Sequence, residues 1–157
     1  MLRAVAIIPA RFASARLPGK PLASLKGKVL IQRVYEQASS AKLIDAVFVA
    51  TDDKRIFDVV ISSGGKAVMT SSGHASGTDR IAEAAKNIDC EIIVNVQGDE
   101  PFIRPEMVDD TVKLLIDDPR AAISTLAKKT TNIEEILSLN VVKVVMDNEG
   151  LAMYFSR

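Results

Sequence analysis

Apolar and polar positions alternate in blocks along this chain, and the block lengths change in a regular way. Short apolar runs occur at 3–9, 45–51, 66–69, 91–96, 122–127 and 141–146. Their length and β-branched content predict strands. Between them lie longer stretches with helical spacing at 29–41, 53–63, 77–88, 105–117 and 132–138. Strands alternating with helices predict an α/β architecture with a largely parallel sheet. Local signals mark several boundaries. Gly64-Gly65 suits a left-handed helix end, and Pro105 suits a first helical turn. Thr51-Asp52-Asp53 offers side-chain oxygens to a helix start. Residues 151–155 read as one more strand, with only Ser156 and Arg157 after it. The expectation is a single domain over 1–157 whose natural chain continues further.

Composition narrows the picture. Lys plus Arg total 20 and Asp plus Glu total 20, so the formal net charge is zero. That balance points away from nucleic acid and from a membrane surface. No apolar stretch is long enough to span a bilayer, and no N-terminal segment has the pattern of a secretion signal. The lone cysteine, Cys90, suits a reduced cytoplasm. It reads as a small core residue beside a strand, and Met69, Met107, Met146 and Met153 read as core as well. Lys128-Lys129 reads as a solvated strand end, and Asp109-Asp110 and Asp117-Asp118 as polar helix faces and ends.

The charge that matters is local. The first strand runs into Pro9-Ala10-Arg11-Phe12-Ala13-Ser14-Ala15-Arg16-Leu17-Pro18-Gly19-Lys20-Pro21. Arg11, Arg16 and Lys20 therefore lie just past the carboxyl end of a buried strand, where open α/β sheets bind ligands. Such a loop suits an anion, above all a chain of phosphates. It is not a Walker A loop, because Pro21 follows Lys20 and Ala13 stands where the first glycine belongs. Phosphate binding must then rest on side chains, with Ser14 adding a hydroxyl.

A second motif, Gln97-Gly98-Asp99-Glu100-Pro101, follows the strongest strand. Asp99 at a strand's carboxyl end can hold Mg²⁺, a hard cation that prefers oxygen. Gly98 leaves room for a ligand to approach the backbone. Glu100 reads equally as a functional carboxylate and as a solvent-facing turn residue. A third motif, His74-Ala75-Ser76-Gly77-Thr78-Asp79-Arg80, opens a helix whose N-terminus favours anions. Alone it reads as a capped helix start. Beside the other two motifs, His74, Ser76, Thr78 and Arg80 read as a grip on a carboxylate and hydroxyls.

Taken in order, these residues resemble the CMP-Kdo synthetases, the 3-deoxy-manno-octulosonate cytidylyltransferases. Ile8-Pro9-Ala10-Arg11, Ser14, Arg16 to Leu22, Ala50-Thr51-Asp52, His74, Ser76 to Arg80 and Val94 to Pro101 carry the likeness. Val142 to Val145 and Ala152 to Arg157 extend it to the end of the chain. The resemblance implies a Rossmann-like fold of the nucleotide-diphospho-sugar transferase type. It implies the reaction of CTP with Kdo to CMP-Kdo and pyrophosphate, with Mg²⁺, for lipopolysaccharide synthesis in the cytoplasm. By motif match Arg11, Ser14, Arg16 and Lys20 contact the nucleotide phosphates, and Ala10 lines the cytosine pocket. His74, Ser76, Gly77, Thr78, Arg80, Gln97 and Arg157 face the sugar acid. Asp99 holds the metal and joins Arg11, Arg16 and Lys20 as the catalytic set. No protein base is identified. Family members continue past Arg157, and that further part is expected to carry a second acidic metal ligand, more sugar contacts and much of a homodimer interface. Sialic acid cytidylyltransferases share the opening logic and form the alternative within the enzyme class. A truncated module that binds nucleotide without turnover is the alternative outside it.

Overall fold

The first apolar run becomes the centre of a parallel sheet in the computed structural model, which describes residues 2–13 and 17–157. The chain divides into two compact units, one ending at Ser124 and one spanning Thr125–Arg157. In the first unit β1 (Leu2–Ala10) pairs in parallel with β4 (Ala46–Thr51) on one side and β6 (Cys90–Asn95) on the other. Strand β5 (Ala67–Met69) joins β4 from outside, giving the order β5-β4-β1-β6. Ala4, Val5, Ala6, Ile7 and Ile8 have no solvent exposure at all. A central parallel strand must be apolar on both faces, because helices cover both.

Alternation along β1 sorts its side chains between two packed layers. Ala6, Ile8 and Ala10 meet α1 (Leu30–Ser39), α2 (Lys54–Ser62) and α4 (Pro105–Asp117) through Ile31, Val34, Ile56, Val60 and Val108. Val5 and Ile7 meet α3 (Gly77–Ala85) through Ile81 and Ala84. Local signals end these helices as expected. Gly64 takes φ 83° just past α2, and Pro105 opens α4. Asp53 caps α2 by accepting from the Arg55 N–H at 3.0 Å. Two very short strands, β2 (Ser24–Leu25) and β3 (Lys28–Val29), form a hairpin that feeds α1. Asp109 on α4 accepts from the backbone N–H groups of Lys42 and Leu43, so it ties α4 to the end of α1.

Two expectations fail. Residues 122–127 form no strand. Ile123 is 87% exposed, and the Ser124 hydroxyl donates to the Thr111 carbonyl of α4. A short β-favouring run needs a neighbouring strand to satisfy its backbone, and this one has none. The methionines fail too: Met69, Met146 and Met153 are 48%, 52% and 71% exposed. Met69 ends the edge strand β5. Met146 and Met153 belong to the second unit, where β7 (Lys143–Met146) and β8 (Ala152–Ser156) make an antiparallel hairpin instead of entering the parallel sheet. Two strands alone have no second layer to bury them. Helix α5 (Ile133–Leu137) precedes the hairpin, and no residue from 125 onward is buried. Cys90 is half-buried, and desolvation raises its thiol pKa, as fits a quiet packing residue. Among the described residues no helix is long and apolar enough to cross a membrane.

Candidate active site

The carboxyl ends of β1, β4, β5 and β6 open at one edge of the sheet, and the three motifs meet there. Pro9, at the end of β1, is their common floor. Past β6, the Val96 N–H still donates to the Ile7 carbonyl at 3.2 Å, so the β6 exit runs alongside β1. A Cβ on Gly98 would lie 2.8 Å from the Pro9 carbonyl oxygen. Glycine is required there so that two backbones can touch. Gly98 also lines the cleft that opens beside it, so its backbone faces that space as well. A Cβ on Gly77 would likewise come within 3.1 Å of the Pro9 ring. Two loops are thus drawn onto one proline.

A cleft of about 520 Å³ opens on this floor, lined among others by Ala10, Arg11, Leu17, Lys20, Gln97 and Asp99. Lys20 Nζ donates to Asp99 Oδ2 at 2.8 Å, with the two side chains 40% and 50% exposed. Arg11 is exposed beside them. With Arg11 and Lys20 against one carboxylate, the cleft favours anions. Its loop is anchored by an aromatic ring. The Gly19 N–H donates to the Phe12 carbonyl, and a Cβ on the left-handed Gly19, at φ 71°, would come within 3.0 Å of the Phe12 ring. Arg55 sits 3.4 Å from the Phe12 ring centroid. Arg55 is itself forked onto Asp53 at 3.0 and 2.7 Å, which holds the Asp53 carboxyl below its ordinary range. Ser14 and Arg16 lie outside the described residues.

A smaller recess of about 120 Å³ adjoins the cleft and shares Pro9, Ala10, Arg11 and Gln97 with it; His74, Ser76, Gly77 and Arg80 complete it. Arg80 and His74 are held by residues outside the recess. Arg80 is 3% exposed and donates to Thr70 Oγ1 at 2.5 Å and to Asp52 Oδ2 at 2.9 Å. It is thereby tied to the ends of β4 and β5. Gln97 donates to Asn95 Oδ1 at 2.8 Å. Ser76 forms a capping box with Asp79, so its hydroxyl serves the helix start. His74 Nε2 contacts the carboxylate of Glu83, which also accepts from the Ser71 N–H. Thr78 is exposed and does not line the recess. Arg157 follows β8 in the second unit.

Sequence reasoning missed Phe12, Arg55 and Glu83. Glu83 had a readable signal, since it lies one helical turn after Arg80 on α3. Among the described residues no three His, Cys, Asp or Glu side chains gather as a metal cluster. Asp99 is a half-exposed carboxylate lining the cationic cleft, and magnesium takes one or two carboxylates and completes its shell with water and phosphate oxygens.

A family model described as cytidylyltransferase matches residues 5–157. The chain is 52% identical over 156 residues to a 3-deoxy-manno-octulosonate cytidylyltransferase of Trichlorobacter lovleyi, covering 99% of this chain and 62% of that protein. It is 55% identical over 152 residues to a protein of the same name from Syntrophotalea carbinolica, covering 97% and 61%. The chain thus spans about three fifths of the length of these curated relatives. Among solved structures it matches a CMP:2-keto-3-deoxy-manno-octonic acid synthetase complexed with CTP. That match has a TM-score of 0.88 and 43% identity, and covers 98% of this chain and 64% of the other. A 4-diphosphocytidyl-2C-methyl-D-erythritol synthase from Anaerococcus prevotii, at TM-score 0.60 and 17% identity, shares the fold.

Proposed function

The chain belongs to the cytidylyltransferase family, and from that premise we propose that it is the catalytic part of an enzyme that activates Kdo with CTP. The products are CMP-Kdo and pyrophosphate, made in the cytoplasm for lipopolysaccharide synthesis, with the complete protein acting as a homodimer. One observation carries this reading: a cationic cleft and a strapped recess share a wall made of Pro9, Ala10, Arg11 and Gln97. Two anionic substrates placed side by side need such a wall where they join.

CTP lies in the cleft with its base near Ala10 and its phosphates against Arg11 and Lys20; Ser14 and Arg16 are assigned to the phosphates by motif match alone. Kdo lies in the recess, its carboxylate and hydroxyls facing Arg80, His74, Ser76, the Gly77 backbone and Gln97. Thr78 and Arg157 are assigned to the sugar side by motif match. Both substrates are anionic, so Arg11 at the shared wall lowers their mutual repulsion. The anomeric hydroxyl oxygen of Kdo bonds to the α-phosphorus. The bond from that phosphorus to the bridging oxygen breaks, pyrophosphate leaves in line, and the hydroxyl proton passes to solvent. Lys20 turns from Asp99 to the departing phosphates and stabilises their growing charge. Asp99 holds Mg²⁺, which when bound neutralises triphosphate charge and sharpens the electrophilic phosphorus.

The test is pyrophosphate release by the complete gene product from CTP and Mg²⁺, with Kdo and with N-acetylneuraminate as separate acceptors. Release with Kdo and not with N-acetylneuraminate is expected. Release only with N-acetylneuraminate moves the reading to the sialic acid enzymes, and release with neither ends it. Calorimetry of this chain with CTP, and with ATP as control, reads the nucleotide half separately, with selective binding of CTP expected.

A further inference from the structure

Behind the recess, α3 carries a residue that lines neither cavity. Glu83 sits one turn beyond Arg80 and faces back onto residues 71–74. Its two carboxylate oxygens accept from the Ser71 N–H at 3.2 and 3.0 Å, and Oε2 also contacts His74 Nε2. The His74 pairing, followed by the Ser71 N–H, holds the Glu83 carboxyl below its ordinary range. An ionised carboxylate only accepts hydrogen bonds, so Nε2 must carry a proton. The His74 ring lines the recess, and with Nε2 committed, Nδ1 is the ring nitrogen left for a ligand.

We propose that Glu83 is a positioning residue: it holds His74 by Nε2 so that Nδ1 meets a hydroxyl or the carboxylate of the sugar acid. The inference rests on reading the recess as the sugar side. The loop does not depend on Glu83 alone. The Thr70 N–H donates to the Thr51 carbonyl at 2.8 Å, and Thr70 Oγ1 accepts from Arg80. Glu83→Gln therefore leaves the loop rooted, and it keeps an oxygen for either the Ser71 N–H or the His74 Nε2–H.

Two measurements test this independently. The chain holds one histidine, so ¹⁵N-histidine labelling shows two ring-nitrogen signals that belong to His74 alone. In ligand-free protein, Glu83→Ala is expected to move the Nε2 signal more than Nδ1; an unmoved Nε2 signal overturns the pairing whatever the substrate. In the complete gene product, Glu83→Ala is expected to raise the KM for Kdo about fivefold to tenfold, the scale of one lost hydrogen bond, and to leave the KM for CTP unchanged. Glu83→Gln restores part of the loss. His74→Asn, whose amide overlays Nδ1, keeps a lower KM for Kdo than His74→Gln, whose amide overlays Nε2. The reverse order, equal loss in both, or a matching rise in the KM for CTP overturns the Nδ1 assignment. Absence of Kdo turnover by the unmodified protein brings down the reading of the recess, while the nitrogen signals still decide the pairing.

Discussion

The two cavities share a wall but are built on opposite plans. In the cleft the charges stand in water: Arg11 is exposed, and Lys20 and Asp99 are about half exposed. In the recess Arg80 is 3% exposed and bonded to two strand ends, and His74 is held by Glu83. A triphosphate carries several charges and responds to the field of cations that can swing to meet it. A sugar acid carries one charge among many similar hydroxyls, so it must be held in one orientation. Adaptable cations suit the first ligand, and side chains locked by a second layer suit the other.

That division is most directly broken at Asp99. Asp99→Asn keeps the shape but removes the charge proposed to hold the metal, and turnover is expected to fall about a hundredfold or more, as for other groups that stabilise transition-state charge. The KM for Kdo should stay put. A pyrophosphate assay in which kcat survives and the KM for Kdo rises would place Asp99 on the wrong side of the wall.

Stability separates the two plans next. Arg80→Ala leaves Asp52, only 18% exposed in its side chain, without its guanidinium. Asp52 keeps some access to water, so the loss is about 2 kcal/mol, below the ~3–5 kcal/mol of a fully buried pair. Lys20→Ala breaks a half-exposed pair, worth about 0.5 kcal/mol at most after screening by water and salt. Urea unfolding of both variants should therefore show a large loss for Arg80→Ala and almost none for Lys20→Ala. Equal losses would mean that the recess is no more rigid than the cleft. Gly98→Ala comes third. Its methyl would sit 2.8 Å from a backbone oxygen that cannot swing away, so about 1–3 kcal/mol of stability is expected to go. Because Asp99 is the next residue, turnover should fall as well, and the same unfolding and pyrophosphate measurements report both.

How far the sequence revealed this follows from where each contact is made. The buried β1, the helices around it and the cationic loop were legible, because periodicity and the strand-to-loop order act over neighbouring residues. Asp99 and the His74–Arg80 segment were legible as motifs for the same reason. The partner of Arg80 was not: Asp52 lies 28 positions away and is joined only by the order of the strands. Nor was the Arg55 guanidinium over the Phe12 ring, a contact made only once the fold brings the two segments together. Residues 122–127 and Met146 misled because a β-favouring or apolar run signals burial only where another layer exists to cover it.

The smallest expected effect sharpens the recess side alone. Glu83 has its carboxyl held below the ordinary 4.5, first by His74 and then by the Ser71 N–H. A depressed carboxyl contributes stability that is fully present above its unfolded value and is lost as pH falls through its folded value. The stability gap between the unmodified chain and Glu83→Gln should therefore be present above about 4.5 and close as pH falls below it. Asp118 supplies the control. Arg120 holds it at about 2, and it lines neither cavity. Asp118→Asn should show the same closing gap at lower pH, between its ordinary 3.8 and about 2, with no change in the KM for Kdo. If both gaps close together, the His74–Glu83 contact adds nothing that an ordinary surface carboxylate lacks. If only the Glu83 variant couples the acid transition to sugar affinity, the second layer of the recess is what holds the sugar side in place.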